Sequence, residues 1–597
     1  MLKDNNHAVP ENQKHGYRFW ILQFRRKVTS VDPRVFDYLG YLGLVVLSLW
    51  ALFYGLGDYG IINGNESLYV ESAREMAFSG NWAVPTLNGL PYLEKPPLFI
   101  WLITAATSLS SSIELPPRLV TASAALLLVL GLVRFSVLLH VGKRGFAAAF
   151  ILITTLGIDI MSRVAMPDMI LTALFSLGCL SFLAALHTNS LSRLRLAAGL
   201  LGAASLIKGA LALMLFGLIV IAYYYLEPTR RSDIRKLARD PFAILLMFLP
   251  LCLWLIAIEI RLPGAAIHVI VNEHIQRFLG LREPHDYYAG SPLYYVPRLF
   301  LFFFPWAGVL LFGWLGKSRN VSSDKQQIRR FLWLCVWIPF GFFTLSAAKA
   351  NYYILLCLPA MALLTADYLP NLLLERRRFH LAMAVILPVM LLMAIWAFRI
   401  WAIRTGRTEA LISLRDGSGP LTIAVLLILS IIVLLLITMG WRRQAILCLA
   451  GLLVPVSLQF DHLVARAEPF MSARTMASFI QDNYRNASVY LYQDFEAVGA
   501  LPIYLKRTVP VINSRSNDLY FGRQNYPDHP NLVDEEQLLA SGEEALIVVM
   551  NDRQKDFANT SLAKNAIELT AIGRARLFRF ARQKSGIGLS VTKPLKN

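Results

Sequence analysis

Six ionisable residues stand within or near long apolar runs of this chain, and their side chains could act on a charged substrate. They are four cations and two carboxylates, namely Lys95, Lys208, Arg277, Lys349, Glu66 and Asp168. Ionisable groups at membrane depth are unfavourable, so by default they mark a site or pair with one another. Guanidinium holds phosphate through two donors, ammonium acts as a point charge, and a carboxylate accepts a proton from an attacking hydroxyl. Cations along an apolar groove therefore favour a leaving phosphate that is attached to a lipid.

A structural interpretation is open for each of these residues. A salt bridge between Asp168 and Lys208 would explain both, and residues 58–116 could form an interfacial helical hairpin that covers the bundle. Because several polar clusters fall on the same side of the predicted membrane, we favour a cavity that opens outward. The sequence has no nucleotide-cradling glycine loop, so the expected donor is already lipid-linked.

The elements that position these residues are predicted to be transmembrane helices. Of 597 residues, 56% are hydrophobic and 16% are charged, with a mean hydropathy of +0.50, which excludes an ordinary soluble enzyme. Apolar runs long enough to cross a bilayer, or nearly so, predict about 13 spans. They are Tyr38–Gly57, Arg118–Leu139, Phe146–Met161, Met169–Leu186, Leu196–Ile207, Gly209–Leu226, Pro241–Ile260, Tyr295–Gly316, Phe331–Ala348, Tyr352–Leu369, Leu381–Phe398, Pro420–Gly440 and Ala445–Phe460.

The net charge of +19 is explained by membrane topology. Adjacent basic pairs occupy alternate loops, which the positive-inside rule assigns to the cytoplasm together with the N-terminus. These pairs include Lys143-Arg144, Arg230-Arg231, Arg329-Arg330 and Arg442-Arg443. The excess of cations is therefore a topology signal, and nucleic acid is excluded as a partner.

The last part of the chain has a different pattern. Residues 472–483 have helical spacing, while 488–492, 508–512 and 545–550 are short apolar runs between Pro, Gly and Asn, and 574–580 alternates like an edge strand. We therefore predict a transmembrane domain, residues 1–460, with an outer loop at 58–116. A small periplasmic α/β domain, residues 461–597, is predicted to follow it.

Several motifs carry a resemblance to a known family. They are Asn65-Glu66-Ser67-Leu68-Tyr69, Ser79-Gly80-Asn81-Trp82, Tyr92-Leu93-Glu94-Lys95-Pro96-Pro97, Lys208-Gly209, Glu273-His274-Ile275-Gln276-Arg277-Phe278 and Tyr352-Tyr353-Ile354 after Lys349. In these the chain resembles the bacterial lipid A aminoarabinose transferases, within the protein mannosyltransferase-like group of GT-C glycosyltransferases. The resemblance implies a multi-pass inner-membrane enzyme. Such an enzyme moves a sugar from polyprenyl phosphate to a lipid or glycan acceptor on the periplasmic side, with inversion.

The resemblance also implies roles for individual residues. Lys95, Arg277 and Lys349, with Lys208, would hold the donor phosphate, and Tyr69, Tyr352 and Tyr353 would line the substrate cavity. Asn65, Glu66 and Asp168 stand at the expected catalytic positions. Glu94 and His274 would contribute to a zinc-like divalent metal site, although a hydrogen-bonding role is the alternative for His274.

One position departs from the family pattern. Asn65 stands where an aspartate is usual, and an amide cannot accept a proton from a hydroxyl as a carboxylate can. Either Glu66 or Asp168 then serves as base, or the acceptor is already an anion, or activity is reduced or lost. The alternatives are a protein O-glycosyltransferase, a catalytically silent binder of lipid-linked sugars, and a secondary transporter, which the lack of a visible repeat disfavours.

Overall fold

The computed structural model describes residues 33–139, 144–285, 290–316, 322–375, 431–451, 464–465 and 467–581, and single residues at 379 and 428. Contacts divide the chain into two compact units, residues 1–51 and residues 52–597. The first unit carries most of the helix Pro33–Phe53, an apolar helix with no acidic residue in its first turn and no basic residue in its last turn. All other elements below belong to the second unit.

Most of the described part of residues 52–451 is helical. The α-helices are Asn65–Ser79, Leu98–Thr107, Leu115–Leu138, Arg144–Ile153, Leu156–Ser162, Pro167–Thr188, Leu191–Lys208, Leu211–Leu226, Arg231–Leu237, Pro241–Arg261, Ala265–Ile270, Arg277–Leu279, Tyr295–Phe302, Ala307–Trp314, Ser323–Leu345, Leu358–Leu374 and Arg442–Gly451. Short 3-10 turns at Pro228–Arg230, Pro292–Tyr294 and Asn351–Cys357 and a π-helical turn at Val271–Gln276 connect some of them.

Within the described residues, five helices are long and apolar enough to cross a membrane. They are Leu115–Phe135, Pro167–Thr188, Pro241–Arg261, Ser323–Leu345 and Asn351–Leu374. Three further candidates are helix pairs bent by 62° to 110°, so the described part of the chain has up to eight spans. The helix Leu191–Lys208 is not among them and holds three cations, Arg193, Arg195 and Lys208.

The predicted count of 13 spans is therefore not confirmed. The predicted span Leu381–Phe398 lies outside the described residues, and those at Pro420–Gly440 and Ala445–Phe460 lie partly outside. The predicted domain boundary at residues 460 and 461 also falls outside them. Where the structure does describe predicted spans, the bends were missed because an apolar run is equally apolar on both sides of a break.

Two of the bent segments form hydrogen bonds with each other at their breaks. The Leu156 N–H donates to the Phe304 carbonyl at 3.0 Å, and Trp306 Nε1 donates to Thr154 Oγ1 at 3.0 Å. A Cβ on Gly157 would lie 2.8 Å from the Phe302 carbonyl oxygen, so only glycine permits this approach. Breaks at membrane depth are tolerated when neighbouring segments bind the freed polar groups, as they do here.

The tail, residues 467–581, folds around a six-stranded mixed sheet. Its strands, in chain order, are β3 (Ser488–Tyr492), β4 (Val511–Ile512), β5 (Leu532–Val533), β6 (Ala545–Met550), β7 (Ala566–Ile572) and β8 (Ala575–Phe580). Strands β1 (Thr86–Leu87) and β2 (Leu90–Pro91) come earlier in the chain and form a separate hairpin. The spatial order is β5-β4-β3-β6-β8-β7, parallel from β5 to β6 and antiparallel from β6 to β7.

Helices cover the sheet. They are Arg474–Asn483, Leu501–Leu505, Tyr520–Asn525, Glu535–Ser541, Gln554–Ala558 and Ser561–Lys564. The sequence correctly predicted a helix within 472–483 and strands at β3, β6 and β8. The run predicted at 508–512 forms only the short strand β4, which begins after Pro510, a residue with no N–H to donate to a ladder.

The first loop, residues 58–116, and the tail share one hydrophobic core. Leu68, Leu87 and Leu90 of the first loop are packed in the same buried cluster as Leu491 and Leu577 of the sheet. Hydrogen bonds reinforce this contact across the sequence. The Asn88 side chain exchanges two bonds of 3.0 Å with the backbone of Val509, on the approach to β4. The tail is thus joined to the loop that carries much of the predicted site.

Candidate active site

Glu66 lies in the first turn of the helix Asn65–Ser79, after a turn at Gly64 with a φ of 87°. Its buried carboxylate pairs with Arg118, whose Nε and Nη2 donate to Oε1 and Oε2 at 2.9 and 3.0 Å. The N–H groups of Ile62 and Ala165 each donate to this carboxylate at 2.8 Å. All four acceptor positions of Glu66 are therefore filled by the protein.

Asn65 has a different environment from its neighbour. Its side chain is partly exposed and has no hydrogen-bond partner among the described residues. The amide at position 65 is thus open to a substrate, whereas the carboxylate at position 66 stabilises the fold of the first loop. Two predicted catalytic residues lie on this helix. The polar group of Glu66 is held in an ion pair, and that of Asn65 is not.

The first loop meets residues 272–282 at a set of five charged side chains, which we term the charge cluster. It consists of Glu94, Lys95, Glu273, Arg277 and Arg282. Arg282 bridges the two carboxylates: its Nε donates to Glu273 Oε1 at 2.9 Å, and its Nη2 donates to Glu94 Oε1. Arg277 Nη1 donates to Glu273 Oε2 at 3.2 Å and lies 3.9 Å from Glu94 Oε2. Three cations and two anions leave the cluster with one excess positive charge.

Exposure separates the three cations of the charge cluster. The side chains of Lys95 and Arg277 are 13% and 20% exposed, whereas that of Arg282 is 6% exposed. Lys95 Nζ donates to the Glu94 carbonyl at 3.0 Å and lies 3.5 Å from the Glu94 carboxylate. Lys95 and Arg277 are therefore the cations that an incoming anion would meet, while Arg282 holds the carboxylates in place.

Burial and mutual proximity shift the pKa values of this cluster. Burial, followed by repulsion from Arg277, lowers the pKa of Lys95 from 10.5 to about 8. Burial alone would raise the pKa of Glu94, but Arg282, Lys95 and Arg277 together hold it well below its usual value. Burial and then Glu94 raise the pKa of Glu273. At neutral pH Glu94 is an anion, and Lys95 is a cation that a modest rise in pH neutralises.

Asp168 and Lys208 form the second part of the site. Lys208 Nζ donates to Asp168 Oδ1 at 2.6 Å, and both side chains are largely buried. The ammonium also lies 4.2 Å from the centre of the Tyr353 ring and 5.6 Å from that of Tyr352. The salt bridge that the sequence analysis kept as a structural alternative is present, and two of the three tyrosines predicted for the cavity, Tyr352 and Tyr353, lie beside it.

His274 is engaged by the backbone. Its Nδ1 lies 2.7 Å from the Val269 carbonyl oxygen, and its ring packs on Gly209, where a Cβ would stand 1.9 Å from Nε2. Gly209 also has a φ of 65°, so glycine is required here for two reasons. Burial lowers the pKa of His274, which keeps the ring neutral. The alternative of a hydrogen-bonding role for His274 is the one that the structure shows.

Tyr69 lies between the two parts of the site. The side chain is buried, and burial is the main reason why the pKa of its hydroxyl is raised. The negative charges of Asp168, Glu94 and Asp518 raise this pKa further, whereas Arg277 lowers it. One phenol thus interacts electrostatically with both the Asp168 pair and the charge cluster. Three of the predicted residues, Glu94, Asp168 and Arg277, are therefore within electrostatic range of the Tyr69 hydroxyl.

Lys349 is committed to a helix end. Its Nζ donates to the carbonyls of Thr344 at 2.8 Å, Ser346 at 2.9 Å and Phe343 at 3.4 Å, at the C-terminus of the helix Ser323–Leu345. Its side chain is 3% exposed. A cation in this place satisfies the unpaired carbonyls and the negative end of the helix dipole. The structure therefore shows Lys349 as a helix cap, and a phosphate would have to displace those carbonyls.

The residues expected at a metal site do not fit one. Glu94 is paired with cations, and His274 has one nitrogen at a carbonyl and the other against Gly209. In the part of the chain that the structure describes, no group of three His, Cys, Asp or Glu side chains is arranged to hold a metal ion. We therefore assign no step of the chemistry to a metal.

Three residues of the site were not identified from the sequence. Arg118 stands at the outer end of a predicted span, where the rule that singled out Asp168 applies equally. Arg282 follows the Glu273–Phe278 motif by four residues. Asp518 belongs to the tail, and burial followed by Glu94 and Glu496 raises its pKa. Nothing in the sequence links Asp518 to residues more than 400 positions away.

Comparisons with known proteins relate the chain to membrane transferases. Residues 94–257 match the family Dolichyl-phosphate-mannose-protein mannosyltransferase. The undecaprenyl phosphate-alpha-4-amino-4-deoxy-L-arabinose arabinosyl transferase of Aeromonas salmonicida is 30% identical over 320 residues, which are 52% of this chain and 56% of that protein. The crystal structure of ArnT from Cupriavidus metallidurans in the apo state superposes with a TM-score of 0.72.

The resemblance is confirmed, and the fold is of the ArnT-like GT-C type. The apo ArnT structure is 21% identical and covers 92% of this chain and 100% of its own. A second structure of the same protein, bound to undecaprenyl phosphate, gives a TM-score of 0.70 at 20% identity, with 92% and 99% covered. The chain spans a little over half the length of the curated relatives that it matches.

Proposed function

We propose that this protein is a membrane glycosyltransferase that moves a sugar from undecaprenyl phosphate, or a similar polyprenyl phosphate, to lipid A or another envelope glycan. The observation that supports it most is the charge cluster, in which Lys95 and Arg277 are the more exposed cations. The match to arabinosyl transferases over half the chain and the fold of an ArnT bound to undecaprenyl phosphate support the same donor. The protein would lie in the inner membrane with its N-terminus cytoplasmic and its tail periplasmic, as the basic loops favour.

In this proposal the donor phosphate lies against Lys95 and Arg277. The acceptor hydroxyl attacks the anomeric carbon, the bond from that carbon to the phosphate oxygen breaks, and the configuration inverts. Negative charge then grows on the departing phosphate, where the two cations stabilise it. Arg282 does not move in this step because it holds Glu94 and Glu273, which keep Arg277 oriented.

Asp168 is the carboxylate that we assign as base. Its Oδ1 accepts from Lys208, and no hydrogen bond to its Oδ2 occurs within the described residues. Glu66 is disfavoured because all its acceptor positions are filled. Asn65, with an amide open to substrate, is assigned to orient the acceptor by hydrogen bonding.

The test uses purified full-length protein, synthetic polyprenyl-phosphate sugars and lipid A, and measures released polyprenyl phosphate. Replacing Lys95 or Arg277 by alanine should lower turnover by about tenfold to a hundredfold, because a hydrogen bond to a charged group contributes on the order of 1.5–3 kcal/mol. Arg261→Ala is the matched control, since Arg261 is an exposed arginine that contacts Asn81 outside the charge cluster. Unchanged turnover in both alanine variants would show that the phosphate binds elsewhere.

Two other functions give different results in the same assay. A protein O-glycosyltransferase would transfer sugar to a serine- or threonine-containing peptide and leave lipid A unmodified. A silent binder would retain the donor without releasing polyprenyl phosphate. Asn65→Asp tests the silent binder further. If the protein is silent because an amide stands at position 65 in place of a carboxylate base, the new carboxylate should create turnover. If Asp168 is the base, Asn65→Asp should preserve turnover and Asp168→Asn should abolish it.

A further inference from the structure

A cleft far from the candidate active site has an apolar wall and a basic rim. It is a shallow cleft with about 30 Å³ of enclosed space. Its wall is formed by apolar side chains that include Phe135, Leu180 and Leu363. Among the described residues that line it, the charged ones are Arg144, Lys325, Arg329 and Asp367. We term this feature the basic cleft.

The charges of the basic cleft are organised around one carboxylate. Asp367 pairs with Arg144 through Oδ1 and with Arg329 through Oδ2, so the carboxylate holds the two guanidinium groups side by side. The Arg329 guanidinium also lies 4.7 Å from the centre of the Tyr368 ring. Lys325 is exposed at the rim. Three cations and one anion leave two excess positive charges beside an apolar wall.

The basic cleft lies at the opposite end of a long helix from Lys349. Arg329 is in the second turn of the helix Ser323–Leu345, and Lys349 caps the other end of that helix. Sixteen residues from Arg329 to Leu345 correspond to about 24 Å. Arg144 and Arg329 of the rim belong to the basic pairs Lys143-Arg144 and Arg329-Arg330, which the positive-inside rule assigns to the cytoplasmic surface.

We propose that the basic cleft binds an anionic phospholipid of the cytoplasmic leaflet. The phosphate would lie at Arg144, Lys325 and Arg329, and an acyl chain would lie against the apolar wall. A soluble anion would use the cations but leave the wall exposed, and a neutral lipid would use the wall but not the excess charge. Basic pockets between transmembrane helices on the cytoplasmic side are suited to anionic headgroups for this reason. The site is independent of the proposed transfer reaction.

The experiment reconstitutes the full-length protein in phosphatidylcholine nanodiscs with increasing fractions of phosphatidylglycerol. Native mass spectrometry then measures how many phosphatidylglycerol molecules remain bound after release. Arg144→Gln removes one rim cation while Asp367 keeps its pair with Arg329. One cation near the surface contributes about 1 kcal/mol, so retention should weaken about fivefold. Arg235→Gln, an exposed basic residue of another predicted cytoplasmic loop, should leave retention unchanged.

A second variant tests the wall without changing charge. Leu363→Trp should fill the cleft and reduce retention by a similar factor, and high salt should weaken retention by the native protein. Equal retention of phosphatidylglycerol and phosphatidylcholine by the native protein would overturn the proposal. So would Arg144→Gln and Leu363→Trp variants that retain phosphatidylglycerol as well as the Arg235→Gln control does. Retention lost equally in all three variants would also overturn it, because the effect would then not belong to the cleft.

Discussion

The pKa of Lys95 leads to a specific prediction about donor binding. Because that pKa is about 8, the ammonium is roughly nine-tenths charged at pH 7 and about one-tenth charged at pH 9. A bound phosphate raises the pKa again, so apparent affinity should fall by up to about tenfold per pH unit above pH 8. The fall should end at about tenfold to a hundredfold, which is the contribution of one charged hydrogen bond.

The direction of this effect differs from that of folding stability. The unfolded chain keeps the Lys95 proton up to about pH 10.5, whereas the folded protein loses it near pH 8. Between these values the unfolded state binds more protons, so the contribution of Lys95 to stability rises with pH. Deprotonation of Lys95 therefore does not destabilise the folded protein, and it cannot weaken donor binding above pH 8 by unfolding the protein.

The assay measures binding of undecaprenyl phosphate to detergent-purified protein by isothermal titration calorimetry from pH 7 to 10. A phosphate monoester loses its second proton near pH 6, so the ligand does not change charge in this interval. Lys95→Arg supplies a cation that stays charged, and its affinity should be flat with pH. A native protein with constant affinity up to pH 10 would refute the reasoning. So would a Lys95→Arg variant with the same alkaline fall as the native protein.

Three further predictions concern the fold around the site. Arg118→Ala should lower stability by on the order of 3–5 kcal/mol, measured by thermal unfolding, because it leaves the buried Glu66 carboxylate without its cation; a change below 1 kcal/mol would contradict the anchoring role. Burial and then Glu71 raise the pKa of Glu75 from 4.5 to about 7, so the folded state binds more protons than the unfolded state between these pH values. The free energy of unfolding should therefore fall by on the order of 3 kcal/mol as pH rises from about 4.5 to 7, and Glu75→Gln should remove this pH dependence. Lys349→Met should lower the unfolding temperature by removing a helix cap, with donor affinity unchanged; weaker donor binding at an unchanged unfolding temperature would instead support the predicted phosphate contact.

The residues of the site could be predicted from the sequence better than their partners could. Asp168, Lys208, Lys95 and Arg277 are conspicuous because charges are rare in apolar surroundings. Their pairing is not encoded in any spacing, since Asp168 and Lys208 are 40 residues apart. For the same reason Arg118 was read as the flank of a span, although it holds Glu66 across 52 residues.

Local patterns were informative where an element is decided by its own residues. Strands β3 and β6 were predicted with their observed bounds because each is a short apolar run between turn residues. The bends of the membrane-type helices were not predicted, because they depend on contacts such as that of Gly157 with the Phe302 carbonyl. The shared core of the first loop and the tail is likewise a long-range property that alternation of residues does not reveal.

That shared core has a consequence for biosynthesis. Asn88 leaves the ribosome 421 residues before its partner Val509. At a synthesis rate of about 5–20 residues per second, the first loop waits about 20–80 s for the chain that completes its core. During this time Leu68, Leu87 and Leu90 are exposed on an unfinished helix and hairpin. A nascent chain arrested before β3 should therefore be a substrate for chaperones and proteases at the membrane surface, and maturation should coincide with release of the tail.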